Sequence, residues 1–279
     1  MGILDRAISV FRPDPSPPIA APRGLARDEV ERRLAGEDRS LAGLDLTGAD
    51  LSGMDLEGAN LSGAKLRDAN LTKANLTGAN LTGALLCNAD LTGATLENAT
   101  LRDANCVRTG AFSPPTLAEA NLSGADLTGA ELTRANLHRA TLTGAILDEA
   151  GLNHADLRGV HAGGARFRGA NLRHAQLDEA TLSGANLDEA DLVRAACRGA
   201  NFSGASLVRA NLAGAVLEGA DLSSAVLRDA QLDGVVVRGA SLRGASFAGA
   251  DLDGISLDGA DVEGADFTGS YNYRAPAVT

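Results

Sequence analysis

Aromatic residues are scarce in this 279-residue chain, which has no Trp, two Tyr and six Phe, together 3% of the sequence. Hydrophobic residues nevertheless make up 44%, and Ala and Leu supply most of them, alongside 33 Gly. A conventional core uses large aromatic and branched side chains to fill irregular space. The composition therefore excludes an ordinary packed globule and indicates a regular repeat of small and medium side chains.

Long apolar runs are also missing, because a charged or polar residue interrupts the sequence every few positions. A membrane-spanning helix needs about 20 mainly apolar residues, so we predict no membrane span. The first residues lack the charged and apolar regions of a secretory signal, and Arg6 stands where a myristoylation motif needs Ser or Thr. A cytoplasmic location is the resulting prediction.

Cysteine is rare, and Cys87, Cys106 and Cys197 show no CxxC spacing. This pattern suggests neither a disulfide framework nor a zinc site, so we predict reduced thiols. The sequence also lacks the GxGxxG, Walker, GxSxG and HExxH motifs. We therefore predict no catalytic residues, no metal, no cofactor, and a protein that is not an enzyme.

Acidic residues exceed basic ones, and the net charge is −11. Residues 1–40 carry seven of each sign, so the whole excess belongs to the rest of the chain. Nonspecific binding to nucleic acid depends on Lys and Arg that displace counterions from phosphates. The charge balance disfavours direct nucleic-acid binding and is compatible with a basic partner or with mimicry of an acidic surface.

What the sequence does contain is a five-residue repeat, Ala-(Asp/Asn)-Leu-(Thr/Ser/Arg)-Gly. Leu or Phe recurs at nearly every fifth position from Leu41 to Leu101 and again from Phe112 to Phe267. A period of five fits neither an α-helix nor a continuous strand, so each unit must contain a turn. The frequent Gly supplies the positive φ that tight turns often need. Ala and Leu, two residues apart, then face the same side of a short extended segment.

These units, over residues 41–269, resemble the pentapeptide-repeat family. The resemblance implies an all-β fold, a right-handed quadrilateral parallel β-helix with four units per coil and the Leu and Ala side chains inside. At ~4.8 Å per strand, about eleven coils would form a rod ~50–55 Å long.

Residues 20 apart should stack on the outside of such a rod and place charged side chains in columns. Signs alternate along the column of Arg158, Asp178, Arg198, Glu218, Arg238 and Asp258. All four His lie among several Arg within residues 134–174, which we call the basic waist. The candidate interaction residues in or beside the waist are Arg134, His154, Arg173, His174 and Arg194. A metal pair, a phosphate site and an ordinary solvated surface are the alternatives there.

Two further surfaces are candidates for contact with a partner. The final coils are acidic and carry Asp258, Asp261, Glu263 and Asp266. The segment 107–116 shifts the repeat by one residue and contains Phe112, Pro114 and Pro115. We interpret this register break as a bulge or small loop in which proline removes a ladder donor. It is either a tolerated insertion or a partner-contacting loop.

The N-terminal part precedes the repeat. Residues 24–40 are predicted to form a capping helix, because Val30 and Leu34 lie one turn apart before Gly36 and a solenoid needs a lid. Residues 1–23 combine an amphipathic segment with a Pro-rich linker. The apolar face of that segment either packs on the rod, is disordered or tethers a partner. Its residues are Ile3, Leu4, Ile8 and Phe11.

The C-terminal end concentrates aromatic residues beside the last coil, and residues 270–279 form a tail. Its aromatic residues either cap the coil or join two rods as a homodimer, as the resemblance to dimeric members of the family implies. These residues are Phe267, Tyr271 and Tyr273.

Three functions are compatible with these features. The leading prediction is a non-enzymatic scaffold that binds a protein partner of unknown identity. The family resemblance implies a second, a DNA-mimicking modulator of DNA gyrase, either an inhibitor or a drug-resistance protein. A mimic needs a continuous negative field, which the alternating columns and the basic waist interrupt. The third is an adaptor, because residues 29–46 look like the helix-to-repeat junction of pentapeptide proteins associated with bacterial secretion.

Overall fold

A computed structural model describes residues 25–36, 39–105 and 114–272. Helix α1 (Arg27–Leu34) is followed by coils in which each five-residue unit contributes one bridging residue and one turn. Parallel bridges join residues 20 apart, as in Asp50 with Asn70. One coil therefore contains four units, which confirms the predicted all-β, four-sided β-helix. Its four ladders begin at Ser40, Asp45, Asp50 and Asp55 and end, respectively, at Asp266, Tyr271, Ser256 and Asp261, and the second is interrupted between Asn105 and Glu131.

The backbone hydrogen bonds of one unit explain why the pattern repeats. Leu51 N–H donates to the carbonyl of Asn70 on the next coil at 2.7 Å, and Asn70 N–H donates back to the carbonyl of Ala49 at 2.9 Å. Within the turn, Ala49 N–H donates to the carbonyl of Leu46 at 3.0 Å. Each unit thus pairs its buried peptide groups through hydrogen bonds to the next coil and a hydrogen bond within the turn, as a protein interior requires.

The two inward positions of each unit fill the interior. Along most of the described length their Leu, Phe and Ala side chains are 0–2% exposed, and no polar or charged residue is buried among the described ones. Phe202 replaces Leu and stays fully buried. Val160 and Ala162 exchange the usual small and large volumes within one unit and are both fully buried, as close packing demands. The predicted inward orientation is confirmed.

The outer turn of each unit holds one residue with a positive φ. Glycine occupies most of these positions, for example Gly184 at 63°, but side chains such as Glu179 at 60° also occur. The bridging Asp or Asn stabilises the turn, because Asn80 Oδ1 accepts from Thr82 N–H at 3.0 Å and from its hydroxyl at 2.6 Å. Short polar residues are favoured in turns for this reason.

Gly184→Ala should lower the free energy of unfolding by about 1–2 kcal/mol, because the left-handed backbone is unfavourable for a residue with a Cβ. The added Cβ would meet no atom within 4 Å, so steric crowding does not contribute. Glu179→Gly, at the preceding turn, is the matched control. It removes a side chain from the same conformation and should cost no stability. Urea denaturation measures both, and equal losses in the two variants would contradict the backbone explanation.

Asp126 shows how these turns respond to pH. Burial raises the pKa of its carboxyl, but hydrogen bonds from the Thr128 hydroxyl at 2.6 Å and N–H at 3.0 Å, with the Arg102 guanidinium at 3.0 Å, outweigh burial and leave the pKa lowered. A carboxyl with a lower pKa in the folded state stabilises the fold above its unfolded pKa. That contribution is lost as the pH falls through the folded pKa.

We therefore expect the free energy of unfolding to decline between about pH 5 and pH 2, and the decline to be shallower in Asp126→Asn. The amide keeps an oxygen for Thr128, as Asn121 does for Ser123 at 2.7 Å, but does not titrate. Asp126→Ala loses both turn hydrogen bonds and should be about 1 kcal/mol less stable than Asp126→Asn at pH 7. Denaturant titration across this pH range measures both effects. An unchanged slope in Asp126→Asn would rule out the contribution of this carboxylate.

The register break lengthens one coil. Asp90 pairs with Thr116, 26 residues further on, and the offset returns to 20 from Thr116 onward. Six added residues shift a five-residue repeat by one, which is the slip visible in the sequence. The one-residue slip therefore understates the insertion by a complete unit. Cys106 and Phe112 lie outside the described residues.

Helix α1 covers the first coil. Its inner face buries Val30 completely and leaves Leu34 7% exposed, and both pack into the same apolar cluster as Leu41 and Leu46. Its outer face carries short-range ion pairs, such as Arg33 with Glu29 at 2.9 Å. Nowhere in the described part of the chain is there a helix with the length and apolar character that crossing a membrane would require.

The opposite end of the described rod has no such cover. Val262 occupies an inward position of the last coil and is 39% exposed, and Leu257 and Phe267 are only partly buried. One coil earlier, Leu242 N–H and Phe247 N–H donate at 2.7 Å to the carbonyls of Asp261 and Asp266. Val262 and Phe267 have no such acceptor among the described residues. Within the described residues, the last coil therefore presents apolar side chains together with ladder donors that have no acceptor.

Candidate interaction surface

Four side chains of the predicted candidate set lie in one column at a corner of the rod. Each occupies the positive-φ turn position, and successive members are 20 residues apart, so they stand one coil above another. We call this column the cationic corner, and it consists of Arg134, His154, His174 and Arg194. Their φ angles lie between 56° and 61°. His174 is half-buried and the other three are exposed.

The two histidines stack as the sequence predicts. Their ring centroids are 4.8 Å apart and the ring planes differ by 3°. This distance matches the ~4.8 Å separation of neighbouring strands, so the coil spacing itself holds the rings face to face. Beyond them, Arg194 extends toward the next coil, where its Cγ lies 3.4 Å from the place that a Cβ on Gly214 would take. Glycine at that position leaves space for the arginine side chain.

Ion pairs neutralise much of the rest of the basic waist. Arg158 pairs with Asp156 at 2.6 Å, Arg166 pairs with Asp148, and Arg173 pairs with Asp191 at 3.0 Å. Arg168 reaches Glu189 at 3.5 Å. In contrast, the side chains of Arg134, Arg139 and Arg194 form no ion pair with any described residue, and all three stand at positive-φ turn positions. The predicted waist thus reduces to a narrower set of free cations.

Arg139 lies within the basic waist but is not among the candidate contacts predicted from the sequence. Its Cγ lies 3.4 Å from the place of a Cβ on Gly159, so the side chain runs along its own corner. Sequence reasoning also overlooked Glu131, whose carboxylate lies over Gly151 on the face beside the cationic corner. The signal for both was available in the repeat, because Arg139 replaces a turn glycine and Gly151 replaces an outward polar residue.

The predicted alternating column is formed only in part. Arg198 lies between Asp178 at 3.9 Å and Glu218 at 3.8 Å. Asp178 also accepts the backbone N–H of Arg198 at 2.8 Å. Arg158 instead turns to Asp156 within its own unit. Exposed pairs of this kind contribute little stability, about 0–1 kcal/mol each, so the column shapes the surface more than it stabilises the rod.

The acidic end is partly neutralised as well. Arg243 contacts Asp261 at 3.0 Å and Glu263 at 2.6 Å. The pKa of Asp261 is lowered, first by the backbone N–H of Glu263 and then by the Arg243 guanidinium. Asp266 accepts the N–H of Thr268 at 2.9 Å, and Asp258 is exposed.

The two prolines of the register break have different surroundings. Pro114 is half-buried, and Pro115 is buried at an inward position that Ala fills elsewhere. The Pro115 carbonyl accepts Asn136 N–H at 3.1 Å, so it keeps its place as a ladder acceptor. In other units the residue at this position donates to the turn, as Ala120 does to Leu117. The donor that Pro115 lacks is therefore a turn donor, and the expectation of a lost ladder donor is wrong there.

The terminal candidates divide between described and undescribed residues. Phe267 stacks on Phe247 with ring centroids 5.0 Å apart, and Tyr271 is 52% exposed while its N–H donates to the Ala250 carbonyl at 3.0 Å. Tyr273 and the proposed tether residues Ile3, Leu4, Ile8 and Phe11 lie outside the described residues.

Cysteine chemistry differs from the sequence prediction. Cys87 is disulfide-bonded, so the prediction of a reduced thiol is wrong at this residue. Cys197 is free and fully buried, and burial raises the pKa of its thiol, with a further contribution from Asp178. A buried neutral thiol is a core residue and a poor nucleophile. The described residues contain no group of three or more His, Cys, Asp or Glu side chains that could hold a metal ion.

Comparisons with known proteins find similarity to pentapeptide repeat proteins. The family model described as pentapeptide repeats matches residues 40–78, 69–105, 116–148, 150–192, 190–229 and 230–269. HetL of the cyanobacterium Nostoc sp., a pentapeptide repeat protein involved in heterocyst differentiation regulation, is 32% identical over 88% of this chain and 96% of its own, with a TM-score of 0.37. QnrB1, a plasmid-mediated fluoroquinolone resistance protein, is 17% identical over 80% and 90%, with a TM-score of 0.32. Comparison with curated proteins gives no match.

Proposed function

Because the chain belongs to the pentapeptide-repeat family, we propose that it is a non-enzymatic rod that binds a protein partner along its side faces. One observation supports this above all. The described coils close their interior with Leu and Ala and place their polar side chains in straight exterior columns. Repeat proteins use such extended, regular surfaces to bind other proteins.

The DNA-mimic alternative rests on the family resemblance and on the net charge of −11. A mimic of duplex DNA needs a continuous negative potential along its length. Here the exterior carries Arg134, Arg139 and Arg194 without ion-pair partners in the described chain, in the middle of the rod. These free cations favour the scaffold over the mimic. The secretion-adaptor alternative gains no additional support from α1, because any solenoid needs a lid.

Immobilised full-length protein should retain a specific protein from a lysate of its source, and free protein should compete for it. DNA gyrase should not be retained, and gyrase supercoiling should be unchanged at micromolar concentrations of the rod. An unrelated acidic solenoid of similar size is the control. The scaffold proposal fails if both rods retain the same proteins or if free protein does not compete. Inhibition of supercoiling would establish the mimic instead.

We also propose that the C-terminal end of the rod joins two copies of the protein. Apolar side chains at Val262 and Phe267 coincide there with ladder donors that have no described acceptor. Exposed edges of this kind pair readily with a second chain, and two identical ends can meet in a closed two-fold contact. The exposed ring of Tyr271 lies beside this surface.

Sedimentation equilibrium should show a dimer of the native protein, and Val262→Asp should shift it to monomer by placing charge in the contact. Val226→Asp is the matched control, because Val226 is 38% exposed on a side face and lies two coils before the end of its ladder at Asp266. Circular dichroism checks that both variants fold. A monomeric native protein, or an equal loss of dimer in both variants, would remove the end-to-end contact.

The cytoplasmic location stays a prediction. Disulfides are rare in reducing compartments, so the disulfide of Cys87 argues against that prediction. The tether role of Ile3, Leu4, Ile8 and Phe11 is likewise a proposal, and loss of a captured partner on deletion of residues 1–23 would support it.

A further inference from the structure

The cationic corner is unfavourable for the rod itself. Each of its four residues occupies a positive-φ position where glycine would be relaxed. Glycine does occupy the same corner at Gly48 and from Gly214 to Gly254. Stacking four basic side chains one coil apart also provides none of the opposite-charge pairs that stabilise neighbouring strands. Backbone strain that stability does not explain is a reason to look for a binding role.

The corner is also the part of the basic waist that the protein leaves open. The waist arginines on the faces are engaged, Arg158 by Asp156 and Arg173 by Asp191. Arg134 and Arg194 have no ion pair with any described residue, and the two histidines contact each other. The two guanidinium groups of this column are therefore exposed and have no carboxylate partner among the described residues that would have to be displaced.

The dimensions of the corner define what fits along it. Four side chains at the ~4.8 Å strand separation span about 14 Å. An extended peptide places side chains on one face about 6.7 Å apart, so three acidic residues at alternate positions cover about the same length. Guanidinium groups bind carboxylates with two parallel hydrogen bonds, and protonated imidazole donates from both nitrogens. We infer that the cationic corner docks an extended acidic segment of a protein partner.

A carboxylate-bearing segment suits the corner better than nucleic acid. Single-stranded nucleic acid binds to exposed aromatic platforms on which bases stack, whereas the large aromatic residues near this height, Phe167 and Phe202, are buried. A long polyanion would also extend past the four cations along the same column, which continues without a cation to Asn88 and the acidic Asp68 on one side and to Gly214, Gly234 and Gly254 on the other. A short acidic segment ends before it meets them. Glu131, over Gly151, limits the site beside Arg134.

This inference rests on the proposed protein-binding function and names the chemistry of the partner. The test uses fluorescence anisotropy of a labelled Gly-Glu-Gly-Glu-Gly-Glu-Gly peptide with the full chain at low salt. The test variant combines Arg134→Gly, His154→Gly, His174→Gly and Arg194→Gly. Because glycine relaxes each of these turns, the variant should fold at least as well as the native protein, which thermal unfolding checks. Its affinity should fall about tenfold or more, since two guanidinium contacts and two imidazole donors are lost.

The control combines Arg198→Gln and Arg238→Gln, which removes from a side face the same number of arginines as the test variant removes from the corner, and its affinity should stay within about twofold. Glu131→Gln should strengthen binding. A peptide with Gln in place of Glu should not bind. Equal binding by the glycine variant and the control would overturn the inference, as would tighter corner-dependent binding of an oligothymidylate of the same number of units. Failure of lysate capture with intact peptide binding would count against the proposed function alone.

Discussion

The rod depends on one constraint, the simultaneous burial of two side chains and pairing of the backbone within five residues. Leu51 and Ala49 point inward, and the same unit sends one N–H forward to Asn70 and accepts one back at the Ala49 carbonyl. A longer unit would leave peptide groups without partners, and a shorter one would leave no turn. Nothing in the interior is polar among the described residues, so specificity lies almost wholly in the outward positions.

The turn is the second consequence of this constraint. A five-residue unit closes only if one residue adopts a positive φ, and glycine meets this requirement without strain. A residue other than glycine at such a position therefore has a conformational cost that residues on the faces do not have. At Asp68 and Asn88 the replacement is conformationally mild, because Asn and Asp tolerate the left-handed region. At Arg134, His154, His174 and Arg194 it is not, and the same holds for Arg139 at the neighbouring corner.

Most of the interior could be predicted from the sequence, and most of the exterior could not. The five-residue period places Leu and Ala inside because each unit has one inward position for a large side chain and one for a small side chain. The exchange of volumes at Val160 and Ala162 follows from the same pattern. An exterior arginine has several acceptors within reach. Arg198 uses residues 20 away, Arg158 uses a residue two away, and Arg173 uses Asp191, 18 away. The position of an arginine in its column therefore does not predict which of these acceptors it contacts. The register break is similar. Six added residues appear in a five-residue repeat only as a shift of one residue, so the pattern does not reveal the length of the insertion.

The recurrent diagonal pairing explains why the waist has so few free cations. Arg166 with Asp148, Arg173 with Asp191 and Arg243 with Asp261 all join residues 18 apart. Arg102 with Asp126 is the same contact across the lengthened coil, 24 apart. Each of these pairs links a turn residue next to the core Leu or Phe with a bridging residue on a neighbouring coil, so their charges lie on the faces. The positive-φ position comes one residue later, at the corner, and the arginines there do not join these diagonal pairs. The fold thus separates largely neutralised faces from the corners, where Arg134, Arg139 and Arg194 have no ion pair with any described residue.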